Sequence, residues 1–489
     1  MPETTIVLKS NPGIKRDGTK FEGDFYVDGQ WVRWQRGLPR KIGGYKATQK
    51  YLTEISRGFT NFTQQSFVYC HSGGPTTLER FTMDGSLNAS IISDRTPVAV
   101  ESSCTVTLTG GASGSVDDIT IDGVSILSGT VAFNTDLDTT AGDVASDINT
   151  GTGSHGYTAA AVGPVITIEA NVSEGSEPNG FAVVVTTTTI TTTNTDMAGG
   201  SFALTASSDN MWMFDYQYES SGNQNYILAH VAPNLDCICN ATGGQIFYGD
   251  VLGTAPLISI NLPPDANATG GIVSLHPYLL FYGTDGIIGW SVPGEPTDFL
   301  DTGSGAGLAR VWGQKIIKGM PLRAGSGSAP AGIFWAFDAV IRATFVGSTQ
   351  VFQFDVIATE TSIISPNSVI DYDGVFFWCG VDRFMMFNGV VREVPNNMNL
   401  NYFFDGLNRS QANKVFAFKV PRYGEIWWCY PRGDATECTH AVIFNVRENT
   451  WYDTELPLNG RSAGQYSNSF RAPMLTGAVG SGSDYRVWV

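Results

Sequence analysis

The chain has 489 residues, of which 42% are hydrophobic, so it can bury a large core, and its length predicts two or three domains. Its 56 Gly, 28 Phe, 18 Tyr and 11 Trp favour strands and turns over helices, and we expect a mainly β protein. The sequence contains no run of 18 or more apolar residues, so it predicts no membrane helix. The first residues lack the apolar segment of a signal peptide. We therefore expect a soluble protein that matures in a cytoplasm.

The seven cysteines are scattered through the chain. Because their number is odd and their spacing irregular, they predict free, mostly buried thiols rather than a disulfide framework. Cys237 and Cys239 form the one close pair, but no second Cys or His pair follows at the spacing of a zinc site.

The net charge of −17 is unevenly distributed. Between Arg95 and Arg310 there is no Lys or Arg, whereas residues 101–200 contain 12 acidic residues and residues 201–300 contain nine. The first 60 residues are basic, with 11 Lys/Arg against six Asp/Glu. The acidic span argues against a surface that grips duplex DNA, but it would suit a conduit through which DNA slides. Solvation of a Gly/Thr-rich domain explains it equally well.

Residues 1–58 are predicted to form an N-terminal β-ribbon that acts as a docking segment. Its centre, Gly23–Tyr45, contains an apolar stretch, a Gly-Leu-Pro turn and a basic stretch. The candidate docking residues are Arg33, Arg36, Arg40 and Lys41. No P-loop pattern is present, so we favour a solvated face or a contact with an acidic protein neighbour over a phosphate site.

Residues 59–100 look like a first small sheet, and at Glu101 the composition changes. Aromatic residues nearly vanish until Phe202, and Thr, Gly, Ala and Val replace them. Residues 101–200 therefore predict an inserted acidic α+β module, with strands and one helix. Asp138 or Thr139 can cap this helix, and Val144, Ala145 and Ile148 recur at the spacing of one buried face.

Residues 201–489 contain repeated aromatic hairpins, and with residues 59–100 they predict one domain. The clearest hairpin is Val369–Val391, bounded by Asp373-Gly374 and Asn388-Gly389. Related units recur about every 40 to 60 residues, which is typical of a β-propeller. The predicted fold is thus mainly β, a propeller-like ring of short antiparallel sheets with an inserted α+β module. Four side chains of the clearest hairpin are expected to be buried between blades: Phe376, Trp378, Phe384 and Phe387.

The sequence carries no strong sign of catalysis. Its five histidines show no metal-binding spacing, and no nucleophile elbow, Walker loop or dinucleotide fingerprint occurs. Asp371, Asp373 and Asp382 could act as paired acids in glycoside hydrolysis, but turn and hairpin-end roles explain them better. We expect no enzyme activity, no metal and no cofactor.

Three stretches resemble the tail nozzle proteins of short-tailed bacteriophages, also called packaged-DNA stabilisation or tail hub proteins. They are DGQWVRWQRGLPRKIGGY near the start, the run from Trp312 to Gly347, and the run from Val369 to Phe404. The resemblance implies a structural virion protein of the short tail, assembled in the host bacterial cytoplasm. It implies a ring, commonly of six copies, beneath the portal and adaptor rings. That ring forms the DNA exit channel, retains the packaged double-stranded DNA and conducts it on ejection.

The partners that this reading implies are further copies of the chain, the adaptor or head-to-tail connector, tail fibre or needle proteins, and DNA that passes without sequence-specific binding. Asp285 and Asp382 are predicted to face the lumen, where like charge would keep DNA from adsorbing. A lumen lined by the basic residues Arg33 to Lys46 is the alternative. The competing function is a carbohydrate-binding or glycan-cleaving propeller that acts as a receptor-binding tail component, and a secreted scaffold propeller is the weakest reading.

Overall fold

The computed structural model describes residues 10–19, 23–64, 66–90, 92–219, 224–233, 244–264, 266–322, 329–347, 350–458, 460–478 and 485–489. The chain divides into two compact units. The larger contains Met1–Arg95, Ala206–Ala255 and Pro263–Val489, and the smaller contains Thr96–Thr205 and Pro256–Leu262.

The larger unit is a β-propeller of seven antiparallel sheets in the described part of the chain, named blades 1 to 7 in chain order from Gly58. Within a blade the strands are lettered A to D in chain order. Blade 1 comprises Gly58–Gln64, Phe67–Gly73, Leu78–Met83 and Ser93–Asp94. Blade 2 has three strands in this unit, Asn210–Glu219, Gln224–Pro233 and Gln245–Asp250. Blade 3 comprises Gly271–Leu275, Tyr278–Tyr282, Ile287–Trp290 and Gly307–Arg310.

Blades 4 to 6 follow the same pattern. Blade 4 comprises Ile316–Pro321, Ala331–Ala336, Ala339–Phe345 and Phe352–Thr359. Blade 5 comprises Ile370–Tyr372, Val375–Cys379, Phe384–Phe387 and Val391–Glu393. Blade 6 comprises Phe416–Val420, Glu425–Tyr430, His440–Asn445 and Thr450–Glu455, and the short helix Leu400–Gly406 precedes it. The stretch predicted as one hairpin, Val369–Val391, therefore contains three strands of blade 5 and the start of its fourth.

The two ends of the chain meet in blade 7. Its strands Arg461–Ser467, Ala472–Gly477 and Tyr485–Trp488 come from the carboxyl end, and its fourth strand is Ala47–Leu52. Its strand Arg461–Ser467 packs against strand A of blade 6 and strand A of blade 1, so the propeller ring is closed. The predicted boundary at residue 58 is wrong, because the strand before it belongs to the propeller. A pairing between residues more than 400 positions apart leaves no local trace in the sequence.

Aromatic side chains fill the spaces between blades, as blade 5 illustrates. The pleat places Phe376 and Trp378 against Trp335 of blade 4, with ring centroids 5.7 and 5.6 Å apart. Phe384 lies on the other face, 5.0 Å from Trp428 of blade 6. Phe387 is buried with Phe376. The predicted burial of all four side chains is confirmed.

The smaller unit is an α+β module. One sheet contains Thr158–Val162, Val165–Glu169, Ser103–Gly110 and Thr191–Asn194, in that order, and a second contains Val124–Ser125, Ser115–Ile121, Val131–Ala132 and Val183–Thr188. Helix Leu137–His155 buries Val144, Ala145 and Ile148, as predicted. Its N-cap is Asp136, whose carboxylate accepts the Thr139 N–H at 2.8 Å, so the prediction of Asp138 or Thr139 is wrong. The remaining strand of this unit is Ile258–Ser259.

The cysteines within the described residues are free and buried: Cys70, Cys104, Cys379, Cys429 and Cys438. Cys237 and Cys239 lie outside the described residues. No helix in the described ranges has the length and apolar character needed to cross a bilayer.

Candidate docking site

The alternation of antiparallel strands assigns each turn of a four-stranded blade to one of two faces. The A–B and C–D turns lie together, on what we call the AB/CD face, and the B–C turns lie at the opposite ends of the strands, on the BC face. The turn in which a predicted site residue lies therefore tells on which of the two faces it is found.

The N-terminal ribbon consists of strands Val32–Gln35 and Leu38–Lys41, and it is fastened to blade 6. Trp34 is buried with its ring centroid 5.1 Å from that of Tyr452. The carboxylate of Glu448 accepts the backbone N–H groups of Arg36 and Gly37 at 2.7 and 3.0 Å. Both of these turn residues have positive φ, as a tight two-residue hairpin requires. The ribbon is thus held by a buried aromatic side chain and by its turn.

Arg33 is not available for docking, so this part of the prediction is wrong. Its side chain is buried, and its Nη2 donates to Oε2 of Glu425 at 3.1 Å. Its guanidinium also lies 3.7 Å from the centroid of the Tyr423 ring. Glu425 accepts further hydrogen bonds from Trp427 and from the Tyr452 hydroxyl, at 2.9 and 2.7 Å. Burial raises the pKa of Glu425, and the charge of Arg33 opposes that rise.

The exposed arginines of the ribbon contribute to a groove on the AB/CD face of blade 6. We call it the basic groove; its volume is about 590 Å³. It is lined by Trp34, Gln35, Arg36, Leu38, Arg40, Arg422, Tyr423, Arg447 and Glu448. Arg422 and Tyr423 lie in the A–B turn, and Arg447 and Glu448 lie in the C–D turn. Lys41 is exposed beside Arg40 in the sequence but does not line the groove.

The basic groove has a surplus of positive charge. Four arginines line it, and its one acidic residue, Glu448, already binds two backbone N–H groups. Within the part of the chain that the structure describes, no carboxylate lies within 4 Å of the guanidinium of Arg36, Arg40 or Arg422. Guanidinium groups bind carboxylates through paired hydrogen bonds. The groove can therefore bind an anionic partner.

One arginine of the groove is fixed in position. Arg447 donates through Nη1 to the carbonyl of Arg422 at 3.0 Å and through Nη2 to that of Pro421 at 2.8 Å. These bonds join the A–B and C–D turns of blade 6. The local sequence does not show this arrangement, because Arg422 and Arg447 follow Arg40 by 382 and 407 residues. Sequence reasoning missed both arginines and Tyr423.

The two candidate lumen acids lie on the BC face, opposite the basic groove. Asp285 lies in the B–C turn of blade 3, with its carboxylate 3.6 Å from Nη1 of Arg310. Asp382 lies in the B–C turn of blade 5, with its carboxylate 2.7 Å from Nη2 of Arg383. Hydrogen bonding and charge from Arg383 lower the pKa of Asp382. Both acids are exposed, but each has an arginine beside it.

Asp382 does not converge with the other two acids considered for glycoside hydrolysis. Asp371 and Asp373 flank the A–B turn of blade 5, whereas Asp382 follows strand B, Val375–Cys379. At about 3.3 Å per residue this strand separates them by roughly 17 Å, too far for a hydrolytic pair of carboxylates. Within the described ranges, no group of three or more His, Cys, Asp or Glu side chains is arranged to hold a metal ion.

Comparisons with known proteins add a weak likeness in fold. No family model matches the chain, and no curated protein sequence matches it. Among solved structures, a WD40 domain from Toxoplasma gondii coronin is similar with a TM-score of 0.34 and 13% identity, over 57% of this chain and 74% of that one. A nidogen/laminin complex is similar with a TM-score of 0.30 and 9% identity, over 54% and 87%. The order and pairing of the strands identify the larger unit as a propeller.

Proposed function

We propose that the chain is a structural subunit of the tail nozzle of a short-tailed bacteriophage. In this role, copies form a ring beneath the adaptor, commonly of six, which retains packaged DNA and conducts it on ejection. The observation that carries the proposal is the basic groove, a cationic docking surface on a protein of net charge −17. The resemblance of three sequence stretches to nozzle proteins supports the same role.

A subunit within a tail needs surfaces that hold its neighbours. The basic groove has the chemistry for an acidic neighbour, because its four arginines are exposed, two on the ribbon and two in the turns of blade 6. Arg36 and Arg40 line it directly, and Lys41 adds charge beside it. The adaptor, tail fibre or needle proteins and further copies of the chain are the proposed partners.

The proposed channel works by repulsion and constriction. Acidic side chains along the path of the DNA would keep phosphates from adsorbing, so that ejection is not slowed by successive contacts. Asp285 and Asp382 would contribute little net charge to such a wall, because each lies beside an arginine. The acidic, lysine-free and arginine-free span is the stronger source of repulsion. Retention of the packaged DNA would then require loops that narrow the lower end of the channel.

The test is the oligomeric state of the purified wild-type protein, measured by native mass spectrometry, together with the structure of the oligomer from single-particle electron microscopy. We expect a closed ring whose bore admits duplex DNA and is not dominated by Lys and Arg. A protein that stays monomeric at all concentrations and binds or cleaves glycans on an array would overturn the proposal in favour of the receptor-binding propeller. A second readout is the mass-spectrometric identification of cross-linked neighbours in purified virions, where we expect the adaptor.

A further inference from the structure

We propose that the basic groove of one copy binds the acidic inserted module of the next copy, and that this contact joins the ring. The module is the unit Thr96–Thr205 with Pro256–Leu262. This inference rests on the proposed function, since it names the acidic neighbour of a ring-forming subunit. It identifies the two complementary surfaces that one chain needs in order to assemble with itself.

The inserted module carries a large charge without internal compensation. Residues 101–200 contain 12 acidic residues, and the sequence from 96 to 205 has no Lys or Arg. Several of its described carboxylates accept hydrogen bonds from neutral groups instead. The Ser115 and Thr188 hydroxyls donate to Asp117, and the Asn134 amide donates to Asp143 at 2.8 Å. Such bonds fix the carboxylates while leaving their negative charge for a partner.

The basic groove has the opposite surplus, and its geometry suits carboxylates. Arg36, Arg40 and Arg422 are exposed and have no ion-pair partner among the described residues, while Arg447 is fixed by two carbonyls. Charge-assisted bonds from guanidinium to carboxylate are about twice as strong as neutral hydrogen bonds. The acid-rich module is therefore a chemically suitable occupant that the chain itself supplies.

A contact between two different surfaces also has the symmetry that a ring needs. Such head-to-tail interfaces produce a closed ring when the rotation per copy closes, and each copy then uses its groove once and its module once. Because the contact is made by exposed charges, it should weaken as salt shortens the Debye length from about 30 Å at 0.01 M to about 3 Å at 1 M.

The first experiment reverses charge in the groove. Arg40→Glu with Arg422→Glu is compared by native mass spectrometry at low salt with Arg392→Glu and Arg471→Glu. The control arginines are also exposed and lie outside the groove. We expect wild type and control to form rings, and the groove variant to assemble at least tenfold more weakly. If the Glu substitutions lower the melting midpoint, the same two positions are changed to Gln, and we again expect weaker ring assembly than in wild type.

The outcomes separate this inference from the proposed function. Wild-type rings that persist unchanged in a correctly folded groove variant would overturn the inference and leave the nozzle proposal standing. A wild type that never assembles would overturn both.

The second experiment identifies the contact. Rings are assembled from equal amounts of ¹⁴N and ¹⁵N protein and treated with a carbodiimide, which joins amines directly to carboxylates. Lys41 and Lys46 are exposed amines next to the groove arginines in sequence. We expect mixed-isotope peptides that join either lysine to an acidic residue between 101 and 196. Links confined to one chain, or mixed-isotope links only to acids of the propeller, would overturn the inference.

Discussion

Arg33 and Glu425 form a buried ion pair, 392 residues apart in sequence, that fastens the N-terminal ribbon to blade 6. The Glu425 side chain is fully buried and that of Arg33 is 8% exposed. The pair therefore belongs to the core of the propeller, and it joins the N-terminal ribbon to blade 6, the two elements that line the basic groove.

Replacing Arg33 by Ala should destabilise the protein by about 3 to 5 kcal/mol, because it leaves the Glu425 carboxylate buried without its cation. The matched control is Arg36→Ala on the same ribbon, which removes an exposed side chain and should change the free energy of unfolding by less than about 0.5 kcal/mol. Chemical denaturation measures both. Equal effects of the two substitutions would contradict a structural role for the pair.

Truncating Phe376 to Ala should cost about 3 to 5 kcal/mol, because its ring is buried between blades 4 and 5 and the cavity cannot collapse fully. Val390→Ala in the C–D turn of the same blade is the control, since Val390 is 58% exposed. The denaturation midpoint of the Phe376 variant should fall while that of the control stays close to wild type. An unchanged midpoint for Phe376→Ala would show that the strand register is wrong.

The cap of the long helix gives a test within the inserted module. Asp136→Ala should destabilise the module by about 0.5 to 2 kcal/mol, because the carboxylate that accepts the Thr139 N–H is lost. Asp138→Ala should cost less, since Asp138 lies in the first turn and acts only through the helix dipole. Hydrogen exchange of the helix amides reports the difference. A larger destabilisation by Asp138→Ala than by Asp136→Ala would show that Asp138 is the N-cap, as the sequence predicted.

Lys318, on strand A of blade 4, should make the stability of the protein depend on pH. Burial lowers its pKa to about 8, partly offset by the charge of Asp215. Between pH 8 and the ordinary lysine value near 10.5, the unfolded chain binds more protons at this site than the folded one, so the stability contribution of Lys318 rises with pH. The stability difference between wild type and Lys318→Met should follow this rise. A difference that is flat from pH 7 to 10.5 would count against the shifted pKa.

Replacing residues 101–200 by a short Gly/Ser linker should leave a folded propeller. The module has its own hydrophobic core, formed among others by Val106, Ile119 and Ile148, and it is a separate compact unit. We expect cooperative thermal unfolding of the shortened chain, followed by circular dichroism. Loss of cooperativity or of solubility would show that the module completes the core of the propeller.

The sequence by itself determined the class of fold and the burial of its clearest blade. Recurrent aromatic runs with Asp-Gly and Asn-Gly turns predicted antiparallel sheets, because strand pleating and tight turns depend on neighbouring residues. Loss of aromatics at Glu101 likewise indicated the inserted module, and the spacing of Val144 and Ile148 indicated its helix.

Only the tertiary structure decided which charges are available to a partner. Arg33 and Arg36 are three residues apart on one ribbon, yet the first is buried against Glu425 and the second is exposed at the groove. Arg422 and Arg447 join Arg40 in the groove, and Ala47–Leu52 completes blade 7, through contacts that span most of the chain. Local sequence patterns show the alternation of buried and exposed residues along a strand. Pairings between distant segments depend instead on the closure of the whole propeller.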